Sequence, residues 1–124
     1  MLTCSFVADG DTVEMDLLLD GSRLEEVLSH ARTLKLSFPD VMQRARQELA
    51  AAFLAVANDG YRDPGDAPMT SREFLRRSRK AAVHVTVNSE GHVTFTFGDD
   101  DMLWGHWMTV SRKPDGGWDV SMSE

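Results

Sequence analysis

Two runs of strict alternation, three residues of turn apart, constrain this chain more than any other feature. Val83, Val85 and Val87 alternate with His84, Thr86 and Asn88, and Val93, Phe95 and Phe97 alternate with His92, Thr94 and Thr96. A period of two sends every apolar side chain to one face and every polar one to the other, which is a strand with one buried face and no helix. Ser89-Glu90-Gly91 joins the two runs as a hairpin loop. That register sets Asn88 opposite His92 and His84 opposite Thr96, and it demands further strands and a covering layer to bury the apolar face.

The further strands are readable on both sides. A return strand over 102–111 and a last one over 118–122 flank Lys113-Pro114-Asp115-Gly116-Gly117, with Trp118, Val120 and Met122 on one face. At the other end, Leu2–Phe6 and Thr12–Leu19 form a first hairpin around Ala8-Asp9-Gly10-Asp11, where Asp-Gly is a strong hairpin dipeptide. Val13, Met15, Leu17 and Leu19 alternate there with Glu14, Asp16 and Leu18.

Helices fill the middle. Ser22-Arg23-Leu24-Glu25 has capping-box spacing and opens a helix with Leu24, Val27, Leu28 and Ala31 on one stripe. Phe38-Pro39 predicts its end, because a proline disfavours helical geometry at the residue before it. A second helix runs from near Pro39 to about Asn58 on Val41, Met42, Ala45, Leu49, Ala52, Phe53 and Val56, and Asn58-Asp59-Gly60 stops it. Residues 60–69 form a loop. Thr70-Ser71-Arg72-Glu73 is another capping box, and a third helix to about Lys80 buries Phe74 and Leu75. The order ββαααββββ predicts an α+β fold, an antiparallel sheet with about three helices packed on one face. At 124 residues the chain reads as a single domain, 1–124, with no repeat.

Composition narrows the classes. One cysteine, Cys4, forms no internal disulfide and points to a reducing compartment. The acidic N-terminus is no secretory signal, and no apolar run spans a bilayer, so a cytoplasmic protein is expected, with no membrane partner. Net charge is −7, and residues 1–26 hold seven acids against one base, −6 in that stretch alone. Such a field repels nucleic acid and steers in a basic protein.

The densest cluster of chemistry is Phe95-Thr96-Phe97-Gly98-Asp99-Asp100-Asp101-Met102-Leu103-Trp104-Gly105-His106, a strand end, an acidic tip and a return strand. With Thr70, Glu73 and Phe74 upstream and Met108 and Val110 downstream, this pattern resembles an uncharacterised family of small bacterial domains of unknown function, marked by an Asp-rich turn followed by Trp-Gly-His. The resemblance covers most of the chain. Gly98, Leu103 and Trp107 depart from its pattern. It implies a fold and brings no established activity.

Weighed by chemistry, the cluster favours binding over catalysis. His84 and His92 share the polar face but lie about 13 Å apart along the ladder, and His106 falls on the core face with Trp104, so the histidines do not converge on a metal. Three successive carboxylates, Asp99, Asp100 and Asp101, diverge and form no preformed cage. No metal or cofactor is expected. Cys4 has no histidine near it in sequence, and no nucleophile elbow or phosphate loop is present. Arg72, Arg76, Arg77, Arg79 and Lys80 make a basic helix that suits a solvated surface or an anionic contact. Trp107 alternates away from the core, and tryptophan is enriched at interface hot spots.

Two classes of function follow. One is a small acidic protein-binding module whose interface draws on Asp99, Asp100, Asp101, His106, Trp107, Asp9, Asp11, Glu14 and Asp16. Its sharpest form is an immunity protein that neutralises a basic toxin domain by occluding its active surface. The alternative is a small-substrate enzyme that uses His106 with a carboxylate from Asp99–Asp101.

Overall fold

A computed structural model describes residues 2–8, 11–19, 24–60, 65, 67–80, 83–98 and 107–122. Among these, six strands and two helices follow the order ββααββββ: β1 (Leu2–Ala8), β2 (Asp11–Leu17), α1 (Leu24–Gly60), α2 (Ser71–Lys80), β3 (Val83–Val87), β4 (Val93–Phe97), β5 (Met108–Arg112) and β6 (Trp118–Met122). The strands lie in one sheet in sequence order, so β1 and β6 are its edges.

The expectation of three helices is corrected by α1, which runs unbroken for 37 residues with Pro39 inside it. Proline costs a helix interior about 3 kcal/mol and leaves the Lys35 carbonyl without its donor. Burial outweighs that cost. Val27, Ala31, Leu34 and Phe38 before the proline, and Met42, Ala45, Leu49 and Phe53 after it, are all buried. Their three- and four-residue steps never lose phase, and each large apolar side chain buried contributes roughly 1.5–3 kcal/mol. One turn ahead of the proline, the Thr33 hydroxyl donates to the Ser29 carbonyl at 3.0 Å and the Ser37 hydroxyl to the Thr33 carbonyl at 3.2 Å. Leu24, Ala52 and Val56, expected on the apolar stripes, are exposed.

The expectation of an antiparallel sheet is corrected too. β1–β2, β3–β4, β4–β5 and β5–β6 are antiparallel, but β2 pairs parallel with β3 through Met15–Val85, Asp16–Thr86 and Leu17–Val87. Both helices sit in the connection between these two strands, and a helical crossover returns the chain in the same direction. The Leu18 N–H donates to the Val87 carbonyl at 2.8 Å, continuing that ladder, while Leu19 is exposed instead of buried.

Elsewhere the local signals hold. The Glu73 N–H donates to the Thr70 hydroxyl at 3.1 Å, the cap of α2, and Phe74 is fully buried. Asn58 ties the end of α1 to the approach of α2, giving one hydrogen bond to the Met69 carbonyl (2.9 Å) and taking one from its N–H (2.7 Å). In the β3–β4 loop the Asn88 side chain accepts from the N–H groups of Glu90 and His92, both at 3.0 Å. Gly91 there has φ +90°, and any β-carbon would lie 3.0 Å from the His30 ring on α1. His84 stands opposite Thr96, the expected register.

Met15, Leu17, Val85, Val87, Phe95, Phe97, Met108 and Val110 form one core with the α1 stripe and Phe74. Among the described residues, then, the helices cover one face of the sheet and leave the other open.

Candidate functional site

The open face is set by alternation alone. Each strand that buries one side chain turns the next outward, so Thr3, Ser5 and Val7 of β1, Thr12, Glu14 and Asp16 of β2, and His84 and Thr86 of β3 share it. Thr94 and Thr96 of β4, Thr109 and Ser111 of β5, and Asp119 and Ser121 of β6 complete it. Hydroxyls dominate, and Thr94 and Ser111 bond across β4–β5 at 3.3 Å. Glu14, Asp16 and Asp119 are the carboxylates. No lysine or arginine stands among these outward-turned strand positions.

One polar assembly crosses three strands. The Thr3 hydroxyl donates to Asp16 Oδ1 at 2.8 Å, and His84 Nε2 lies 2.7 Å from Asp16 Oδ2. The Asp16 side chain keeps only 16% of its exposure, while His84 keeps 48%. Both carboxylate oxygens of Asp16 are thereby engaged, and the imidazole leans over the parallel β2–β3 junction. Glu14, level with His84 on the neighbouring strand by continuation of the same register, is exposed and paired with no described residue.

Trp107 immediately precedes β5 and is 48% exposed. Met108 next to it is buried, and the alternation of β5, carried back one residue, sets Trp107 on the side of Thr109. Three strand spacings, roughly 14 Å, separate its strand from that of Glu14.

Of the residues singled out from the sequence, the structure brings Glu14 and Asp16 to one face, and Trp107 stands exposed at the start of β5. Asp11 opens β2, but its side chain is outside what is described, as is all of Asp9. Asp99, Asp100, Asp101, Trp104, Gly105 and His106 lie outside the described residues as well, and so does the expected start of the return strand. His84 is the residue that sequence reasoning missed as a site member. Its partner Asp16 sits across a parallel pairing that spans both helices, and no local pattern announces it. On α2, Glu73 engages Arg76 through its Nε at 3.1 Å, so part of the basic run is internally compensated. Among the described residues no three His, Cys, Asp or Glu side chains are grouped to hold a metal ion, and no helix is long and apolar enough to cross a membrane.

No curated protein and no solved structure matches the chain. A family model does: that of an uncharacterized protein conserved in bacteria, DUF2262, matches residues 5–120, from within β1 to within β6. The chain belongs to that family.

Proposed function

We propose that this DUF2262 member is a protein-binding module that receives a basic partner on the helix-free face of its sheet. The observation that supports the reading is the charge of that face: its strands carry three carboxylates and no lysine or arginine, and although Lys113 from the neighbouring turn meets Asp119, Glu14 is exposed with no described counter-charge. Opposite charge across an interface raises the association rate and suppresses wrong partners. Trp107 on the same side supplies the amphipathic ring that interfaces favour. In its sharpest form the partner is the cationic active surface of a toxin domain, and the module acts by covering it.

Affinity capture from cells that co-express the neighbouring genes, at low and moderate salt, tests this with wild type beside Glu14→Lys. One stoichiometric basic protein, held by wild type at moderate salt and weakened by Glu14→Lys, is the expected result. Recovery of bare protein at both salts, or a partner held equally by the variant, contradicts it.

A further inference from the structure

The β1 edge of the sheet carries an inference that rests on the binding reading and deepens it. Leu2–Ala8 is seven residues long and contains no charged residue and no proline. Among the described residues its one strand neighbour is β2. Every second residue therefore turns its N–H and C=O groups away from the sheet, where only water or another strand satisfies them. Val7 is 71% exposed and Leu2 45% exposed, and Cys4 is exposed as well. A long, uncharged, apolar edge is what sheets ordinarily avoid, because it is a template for pairing.

The two sides of this edge differ chemically, and the difference selects the occupant. On the open face the row behind Thr3 and Ser5 is Asp16 and Glu14. An added strand would lie two spacings from them, roughly 10 Å, a gap that a long cationic side chain and a glutamate close between them. On the helix side, Phe6 packs edge-on against Phe38 with centroids 5.0 Å apart, and Lys35 Nζ stands 6.0 Å from the Phe6 ring. A cation added there would meet Lys35, whereas an apolar side chain would extend the Leu2–Phe6 surface.

We infer that β1 accepts an added strand from the partner, an extended segment with cationic side chains alternating with apolar ones. Its cations lie on the open face toward Glu14 and its apolar side chains lie on the helix side beside Leu2 and Phe6. Backbone pairing supplies affinity and the alternate side chains supply selectivity, the logic of strand addition. A second copy of this chain is the poorer occupant. Residues 1–26 carry −6, and β1-to-β1 pairing would set two such stretches side by side.

The probe is a capped ten-residue peptide of alternating lysine and valine, added to the full chain, with an otherwise identical peptide N-methylated at alternate positions to block backbone pairing. Amide hydrogen exchange of residues 2–8 is read. At ten times its Kd the peptide should slow exchange of the outward β1 amides by roughly tenfold, and the N-methylated peptide should not. Equal binding of the two peptides, unchanged β1 exchange, or no binding overturns strand addition. Slowed β1 exchange without peptide that grows with protein concentration assigns the edge to a second copy and also overturns it. The capture experiment with Glu14→Lys is independent of these outcomes, so partner binding by the open face can survive the loss of strand addition.

Discussion

β1 and β6 are the two edges of one sheet, yet they are finished differently. β6 is five residues long, exposes Asp119, and holds that charge against Lys113 at 3.1 Å. Its other face, Trp118, Val120 and Met122, is half-buried against the core. The turn leading into it is tied down, with the Lys113 N–H donating to the Gly117 carbonyl at 2.8 Å and the Gly117 N–H to Asp115 Oδ1 at 2.8 Å. β1 is longer, uncharged, and meets α1 at Phe6. Charge on an edge strand is a standard guard against unwanted pairing. Among the described residues the longer edge carries no such charge and pairs with no further strand, and the acids one strand behind it fit the cationic strand proposed for it.

The contrast can be broken most heavily at the aromatic anchors. Phe6→Ala and Trp118→Ala each remove a half-buried ring, and each should cost about 2–3 kcal/mol in urea unfolding, below the range for a fully buried phenylalanine. Only Phe6→Ala should also weaken the Lys/Val peptide; equal weakening by both would erase the distinction between the edges. Next in size, Val7→Lys should lower peptide affinity about tenfold, equivalent to 1.4 kcal/mol. Stability should move by less than about 0.5 kcal/mol, as befits an exposed site. The matched change on the other edge, Ser121→Lys, should leave the titration unmoved.

Asp16→Asn loosens the link from β1 to β3. The His84 side is half-exposed and screened, so thermal unfolding should report a loss of about 1 kcal/mol, most of it from the Thr3 and imidazole contacts. The smallest effect belongs to Asp119→Thr, which removes an exposed ion pair and should change stability by under about 0.5 kcal/mol. Its informative readout is sedimentation at high concentration. New self-association would show that Asp119 is the guard, while an unchanged profile would assign the guarding of β6 to its packing.

How much of this was legible in the sequence depended on the range of each signal. Alternation over 83–97 gave both strands, their faces and the His84–Thr96 register, because period and loop length act within fifteen residues. The Thr70 cap was equally local. Pro39 misled, since the rule for the residue before proline is local and the deciding term was not. Phe38 and Met42 sit in phase on one stripe, and their burial against the sheet outweighs the broken bond. That unbroken phase was present in the sequence and is the signal that overrides the proline. The parallel β2–β3 pairing was not legible, because nothing within the first hairpin or the last four strands specifies how the two blocks join across 65 intervening residues, 18–82. The Asp16–His84 contact depends on that junction and was hidden with it. Glu14, Asp16 and Trp107 were read as interface residues from charge and residue type; the register sets Glu14 and Asp16 on one face, and Trp107 is exposed just before β5.

The most direct test of the account is hydrogen exchange on the complex with the captured partner, comparing β1 and β6 within the same sample. Slowed exchange in Leu2–Ala8, with Trp118–Met122 unchanged, is the predicted result. Protection of β6 instead, or of neither edge, would contradict the assignment of β1 as the edge that accepts the partner.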